Sequence, residues 1–202
     1  MTLLCASQNN QAHRIHFTMN KEKRKVFAIS GSTRAHSSNE VILKLIAGLY
    51  QDELDVHIYD QLARLPHFNP DVDDDHVEQS VANFRALIDS ADGVLICTPE
   101  YVFSLPGALK NALEWTVSTT VFSEKPFAFI VASGLGEKTF ESLALIMNTI
   151  LQYKIDDDAK LLIQGARAKI NSNGDVADPK VLQDIRQVVD ALIRQTDKKR
   201  GL

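Results

Sequence analysis

The segment from Val26 to Glu40 reads Val-Phe-Ala-Ile-Ser-Gly-Ser-Thr-Arg-Ala-His-Ser-Ser-Asn-Glu. It opens with a short apolar run that ends at Gly31, a pattern typical of a buried strand. Ser37 and Glu40 have the spacing of a capping box, which predicts that a helix begins just after Ser37. The segment therefore predicts a strand, a polar loop and a helix, which together form the first unit of an α/β domain.

The same alternation continues along the rest of the chain. Hydrophobic patterning predicts four more strands, at 56–59, 93–98, 127–131 and 161–163, and four more helices, at 77–88, 107–117, 140–151 and 181–192. Five strands alternating with five helices predict a three-layer α/β fold, a five-stranded parallel sheet with helices on both faces. Ligands of such sheets bind outside the carboxyl ends of the strands, so the loops after strands one, three and four are the candidate site.

Length and composition restrict the classes of protein. The chain has 202 residues, of which 45% are hydrophobic and 24% charged, enough for one domain with an ordinary core. A net charge of −4 argues against nucleic-acid partners, and no apolar stretch is long enough to span a membrane. Two cysteines cannot form a disulfide framework, which favours a cytoplasmic location.

The first 23 residues lack the pattern of the rest. Their apolar run, 3–6, is shorter than the core of a signal peptide, so we expect an irregular extension at 1–23, followed by a domain at 24–197. Met19 stands just before that domain and is a candidate for the working start of translation.

The loop after the first strand is suited to a phosphate group. Backbone N–H groups and the helix dipole at the start of a helix attract anions, and this loop adds a guanidinium, several hydroxyls and an amide. These side chains belong to Ser32, Arg34, Ser37, Ser38 and Asn39. Neither a Walker loop nor a G-x-G-x-x-G motif is present. The alternative is that Ser37 only caps the helix and that Arg34 is solvated.

The loop after the third strand combines prolines and aromatic residues. Pro99, Tyr101 and Phe103 would give a planar ligand a flat wall. The alternative is that Pro99 only ends the strand and that the apolar residues which follow belong to the core.

These two loops carry a resemblance to a known family. The motifs Gly31-Ser32-x-Arg34-x-x-Ser37-x-Asn39 and Pro99-Glu100-Tyr101-x-x-Ser104-x-Pro106-x-x-Leu109-Lys110-Asn111-Ala112-x-Glu114-Trp115 resemble those of the NADPH-dependent FMN reductases. This flavodoxin-like family includes bacterial quinone, azo-dye and chromate reductases. The resemblance runs from about Lys25 to Leu192. It implies a flavodoxin-like fold, bound FMN, NADPH or NADH as hydride donor, a small-molecule electron acceptor and a homodimer or homotetramer.

The resemblance also implies roles for single residues. The loop after the first strand would hold the FMN phosphate, through Ser32, Arg34, Ser37 and Asn39 with Ser38 beside them. The isoalloxazine ring would be bordered, largely through backbone groups, by Pro99, Glu100 and Tyr101. Val102 stands where the family commonly has Asn. If the usual contact is through the backbone N–H, the change is mild, and if it is through the side-chain amide, the affinity for the flavin and its potential shift. On the other side of the ring would lie Ser133 and Gly134.

The chemistry implied by this resemblance belongs to the cofactor, so no catalytic acid–base pair is expected on the protein. Two substrates that use one open face of the ring in turn would give ping-pong kinetics. One alternative is a flavodoxin-like electron carrier without nicotinamide turnover. Another is a phosphate- or nucleotide-binding domain without flavin.

The remaining polar clusters are expected to be structural. The acidic runs 73–75 and 156–158 lack the glycine and the bidentate glutamate of a calcium loop, which favours solvated charge over a metal site. Cys97 lies in an apolar strand and is expected to be an inert core thiol. For Lys110 and Asn111, contact with the nucleotide and a surface position remain equally open.

Overall fold

A computed structural model describes residues 22–73, 77–171 and 173–202. The predicted extension at 1–23 lies outside the described residues except for its last two, and so does the candidate start at Met19. Within the described ranges, no helix has both the length and the apolar character needed to cross a membrane.

The sheet has five strands, all paired in parallel, in the order β2-β1-β3-β4-β5. The strands are β1 (Arg24–Ser30), β2 (Leu54–Tyr59), β3 (Gly93–Thr98), β4 (Phe127–Ser133) and β5 (Lys160–Gln164). All residues of β3 are buried, as expected for a central strand covered on both faces, whereas the edge strand β2 is only partly buried. The predicted α/β fold with a parallel sheet is confirmed.

The helices are α1 (Ser38–Leu49), α2 (Gln79–Ser90), α3 (Gly107–Glu114), α4 (Glu137–Leu151), α5 (Ala166–Lys169) and α6 (Pro179–Arg200). Helix α2 begins later than predicted. Val77 does pack against the core, but it lies in a non-helical segment just before the helix. Helix α3 ends earlier than predicted, where the Thr116 hydroxyl donates to the carbonyl oxygen of Leu113 at 2.7 Å. Helix α5 was not predicted, since four residues are too few to show a helical period.

Helices cover both faces of the sheet. Phe27 of β1 and Phe129 of β4 point to the same face of the sheet. On that face, the ring centroid of Phe27 lies 6.0 Å from that of Phe84 in α2. The ring centroid of Phe129 lies 5.2 Å from that of Phe140 in α4. On the other face, α1 and α6 lie side by side, with the Tyr50 hydroxyl donating to Asp190 at 2.8 Å. The central strands are thus enclosed between two helical layers, as the three-layer prediction requires.

The carboxyl ends of β1, β3 and β4 lie next to one another at one edge of the sheet. The N–H of Gly31, just after β1, donates to the carbonyl oxygen of Cys97 in β3 at 2.8 Å. The N–H of Glu100, just after β3, donates to the hydroxyl of Ser133 at the end of β4, at 3.2 Å. The three loops that are predicted to form the site therefore start side by side at the same edge of the sheet.

Candidate functional site

The loop between β1 and α1 leaves backbone donors free. Ser37 caps α1 as predicted, its hydroxyl accepting from the N–H of Glu40 at 3.2 Å. The Glu40 carboxylate accepts from the N–H of His36 at 3.1 Å, one residue before the N–H that a capping box would use. As a result, the N–H groups of Ser37, Ser38 and Asn39 have no acceptor among the described residues. Three free N–H groups at a helix start form a binding site for an anion.

Contacts inside the loop fix its shape. The N–H of Arg34 donates to the Ser32 hydroxyl at 3.2 Å, which turns the chain ahead of the helix. The hydrogen bond from Lys44, 2.5 Å away, is the main reason why the pKa of Glu40 lies below its ordinary value. Glu40 therefore stays ionised at neutral pH and keeps its hold on the loop backbone.

Gly31 lets the first loop lie directly against β3. A Cβ atom at this position would come within 2.2 Å of the Thr98 Oγ1 atom and 2.5 Å of its Cβ atom, distances that no side chain can occupy. Residue 31 therefore has to be glycine for the loops after β1 and β3 to meet.

The buried side chain of Cys97 contacts the first loop. Its thiol is fully buried and donates to Asn39 Oδ1 at 3.3 Å. Burial raises the pKa of this thiol, so it stays protonated and unreactive, which confirms the prediction of an inert core thiol. The side chain of Asn39 is thereby held in place at the floor of the loop.

The loop after β3 is a tight hairpin turn. The backbones of Tyr101 and Ser104 exchange hydrogen bonds of 3.0 and 3.1 Å, and the two residues between them, Val102 and Phe103, have positive φ angles. The Tyr101 hydroxyl lies 3.4 Å from the Ser32 hydroxyl, which joins this hairpin to the first loop. The N–H groups of Val102 and Phe103 donate to no residue in the described ranges. The turn thus presents free backbone donors beside the loop between β1 and α1.

The Glu100 side chain has a role that the sequence did not predict. Its carboxylate accepts from the N–H of Gly136 at 3.1 Å and from the N–H of Thr139 at 2.9 Å. It caps the first turn of α4 in place of a side chain from the helix itself, since Gly136 is the N-cap. Glu100 therefore couples the loop after β3 to the loop after β4.

These loops enclose a cavity of about 410 Å³. Ten of the eleven predicted site residues line it: Ser32, Arg34, Ser37, Ser38, Asn39, Pro99, Glu100, Tyr101, Ser133 and Gly134. Val102 does not line it, because its side chain is 94% exposed at the tip of the hairpin turn.

The cavity has a fourth wall that the sequence analysis missed, made of Ala132 and residues 165–168. The sequence could have indicated this wall, because the carboxyl end of the predicted fifth strand lies at the same edge of a parallel sheet as those of the other strands.

The other candidates lie outside the cavity. Asn111 holds the loop after β2, accepting from the N–H of Phe68 at 2.7 Å and donating to the carbonyl oxygen of Pro66 at 2.9 Å. Lys110 pairs with Glu114 on the surface. Of the acidic runs, Asp73 is paired with Arg85 and Asp157 with Lys160. No group of three or more potential metal ligands occurs among the described residues.

The residues around the cavity fit FMN. Its volume lies within the range of small-molecule sites, about 300–1,000 Å³. One end offers the Arg34 guanidinium, hydroxyl groups and three free N–H groups, the donors that a phosphate monoester needs. The loops after β3 and β4 offer the ring of Tyr101 and backbone groups, which suit a flat heterocycle.

Comparisons with known proteins agree with this fit. Residues 24–154 match the family model of the NADPH-dependent FMN reductases. An NAD(P)H-dependent FMN reductase of Pseudomonas aeruginosa is 30% identical over 181 residues, which cover 88% of this chain and 97% of that protein. A 2-hydroxy-1,4-benzoquinone reductase of Burkholderia is 31% identical over 75% of this chain and 85% of its own length.

Among solved structures, the flavoenzyme NAD(P)H:(acceptor) oxidoreductase of Paracoccus denitrificans superimposes with a TM-score of 0.70. Its sequence is 28% identical, and the alignment covers 87% of this chain and 98% of that one. The family-model match extends over more than half of the sequence and includes the loops after β1, β3 and β4. This chain belongs to the NADPH-dependent FMN reductase family.

Proposed function

We propose that this protein is an FMN-dependent oxidoreductase that uses NADPH or NADH to reduce quinones, azo compounds or free flavin. The observation that carries the proposal is the cavity at the carboxyl ends of the strands, which is lined both by the loop between β1 and α1, with its free N–H groups and Arg34, and by the loops after β3 and β4. FMN, when bound, supplies the hydride-transfer chemistry, so the protein's own residues bind and orient rather than donate protons.

The phosphate end of FMN is assigned to the loop between β1 and α1. The free N–H groups of Ser37, Ser38 and Asn39 would bind its oxygens, and the Arg34 guanidinium would neutralise part of its charge. The Ser32 hydroxyl accepts from the N–H of Arg34 and lies 3.4 Å from the Tyr101 hydroxyl, so with Tyr101 as the donor in that pair the Ser32 proton would be directed to the phosphate.

The ring end is assigned to the loops after β3 and β4. The N–H groups of Glu100 and Tyr101 are already engaged, with the Ser133 hydroxyl and the Ser104 carbonyl. The N–H groups of Val102 and Phe103 have no acceptor among the described residues, so the backbone of the turn, at the rim of the cavity next to Tyr101, would donate to the edge of the ring. If this contact is through the backbone, a valine serves there as well as an asparagine. Pro99, Ser133 and Gly134 would complete the walls.

We also infer a homodimer or homotetramer in the cytoplasm. The hairpin tip beside the cavity is apolar and open to solvent, with Val102 94% and Phe103 69% exposed. Exposed apolar residues next to a binding site commonly mark a contact surface. Light scattering coupled to size-exclusion chromatography tests the assembly, and a monomer at micromolar concentration would refute it.

One titration separates a reductase from an electron carrier. NADPH or NADH is added under argon to the protein loaded with FMN, and the absorption band of the flavin is followed. A reductase loses the band within its turnover time, and steady-state assays with a quinone, an azo dye and free FMN then give parallel double-reciprocal plots. Retention of the band with both nucleotides would favour the carrier, and a protein that takes up no FMN would refute both.

A further inference from the structure

Arg167 lines the flavin cavity from an element outside the family motifs. It lies on the short helix α5, after β5, whereas the family-model match ends at residue 154. The segment is held in place: the N–H of Gly165 donates to the carbonyl oxygen of Gly134 at 3.1 Å, and Ala166 and Ile170 are buried. The backbone of this segment is therefore held beside the cavity by its hydrogen bond and its buried residues.

A second, smaller cavity locates Arg167 at the phosphate end. This cavity, of about 190 Å³, lies at the start of α1 and is lined by His36 and Val41 as well as by residues of the flavin cavity. The residues common to both cavities are Arg34, Ser38 and Arg167. The two arginines thus line the same space at the α1 N-terminus, one from the loop before the helix and one from α5.

Neither guanidinium is engaged elsewhere. Within residues 22–73, 77–171 and 173–202, Arg34 and Arg167 form no ion pair and their side chains make no hydrogen bond. Most other arginines of the fold are paired, for example Arg24 with Asp197 and Arg85 with Asp73. Two unpaired cationic side chains that line the same cavities repel each other, and an anion bound between them would remove that repulsion.

We propose that Arg167 is a second cationic binding residue for the phosphate of FMN, and this inference rests on the proposed function. A phosphate monoester carries a charge of about −1.5 to −2 at pH 7, which a single arginine does not balance. With Arg34 on one side and Arg167 on the other, the charges balance, and each guanidinium can donate two hydrogen bonds to the phosphate oxygens. The segment after β5 thereby makes the site selective for FMN over riboflavin, which lacks the phosphate.

The experiment compares the two flavins in matched variants. FMN-free protein is titrated with FMN and with riboflavin, and dissociation constants are measured from flavin fluorescence for the wild type, Arg167→Gln and Lys169→Gln. Lys169 is the control because it lies on the same helix and loses the same charge, yet lines neither cavity. Far-UV circular dichroism and thermal melts confirm that each variant is folded.

We expect Arg167→Gln to weaken FMN binding at least about tenfold, the loss typical of a charge-assisted hydrogen bond, and to leave riboflavin binding within about twofold. Lys169→Gln should leave both constants within about twofold, and Arg167→Lys should restore part of the FMN affinity. Equal losses in Arg167→Gln and Lys169→Gln would overturn the proposal, as would equal losses for the two flavins.

Two further results separate this proposal from the function it rests on. Unchanged FMN affinity in Arg167→Gln, with KM raised for NADPH but not for NADH, would overturn the assignment and place Arg167 on the nucleotide instead. A wild-type protein that binds neither flavin would overturn the proposed function as well.

Discussion

Val102 and Phe103 adopt a backbone conformation that their side chains disfavour. Their φ angles of 51° and 56° lie in the left-handed region, which glycine and asparagine occupy most readily. Valine is the less suited of the two, because its Cβ is branched. The turn is nevertheless held by the two hydrogen bonds between Tyr101 and Ser104. The hairpin next to the site cavity therefore stores strain.

Replacing Val102 by asparagine should release part of that strain. We expect Val102→Asn to raise the free energy of unfolding by about 0.5–1 kcal/mol, because asparagine accepts a positive φ at lower cost. Urea unfolding of the FMN-free protein measures the change. Val117→Asn is the matched control, since Val117 is also exposed but has an ordinary φ angle. Equal effects of the two substitutions would show that the conformation of residue 102 is not strained.

At the scale of single residues, the sequence predicts local contacts and misses distant ones. The Ser37 cap was predictable because its partner, Glu40, is three residues away. The carboxylate of Glu100 was not, because its partners Gly136 and Thr139 come 36 and 39 residues later. The turn at Val102 was not predicted either, since it contains neither the glycine nor the asparagine that signals such a turn.

At the scale of elements, the start of α4 depends on a group outside the helix. Its N-cap, Gly136, has a φ of 94° and no side chain, and a Cβ there would come within 2.8 Å of Leu162 Cδ1. The N–H of Gly136 and the N–H of Thr139 in the first turn donate instead to Glu100, from the loop after β3. One carboxylate thus fixes both the start of a helix and the spacing of two loops of the site.

Removing that carboxylate should destabilise α4 and loosen the cavity. We expect Glu100→Ala to lower the free energy of unfolding by about 1–2 kcal/mol, the cost of losing a helix cap, and Glu100→Gln to lie between it and the wild type. Urea unfolding gives the stability, and an FMN titration should show weaker binding. Glu141→Ala is the control, because Glu141 is exposed and, among the described residues, pairs only with Lys138, so its loss should leave the stability almost unchanged. If the two alanine variants prove equally stable, Glu100 does not act as the cap.

The elements themselves were predictable in proportion to their length and burial. Strand β3 was predicted with its observed bounds because a fully buried parallel strand is a continuous apolar run. Helix α5, with four residues, has no measurable period, and it brings Arg167 to the cavity. The part of the site that the sequence missed is thus the part carried by the shortest element.

At the scale of the molecule, the edge of the sheet opposite the site is closed by ion pairs. Arg24, at the start of β1, donates two hydrogen bonds of 2.7 Å to Asp197 near the end of α6. Arg200, the last residue of α6, donates to Asp92 just before β3 at 2.6 and 3.0 Å. These partners are 173 and 108 residues apart, and charge pattern alone does not pair such distant positions. The sequence predicts the layers of the fold, and tertiary contacts fasten its last helix to its first strand.

The ion pair between Asp92 and Arg200 makes the attachment of α6 to the sheet weaker at acidic pH. Burial alone would raise the pKa of Asp92, but hydrogen bonds from Arg200 and from the N–H of Lys25 outweigh it and hold the pKa below its ordinary value. A carboxyl whose pKa is lower in the folded state stabilises the fold above its unfolded pKa, about 3.9, and that contribution is lost as the pH falls through the folded pKa.

We therefore expect Asp92→Asn to be less stable than the wild type by about 0.5–1 kcal/mol at pH 7, with a difference that shrinks towards pH 3. Urea unfolding at pH 7, 5 and 3 measures it, with Asp52→Asn, at an exposed turn, as a control whose effect should stay small throughout. A difference between Asp92→Asn and the wild type that is the same at all three pH values would mean that the charge of Asp92 does not fasten α6 to the sheet.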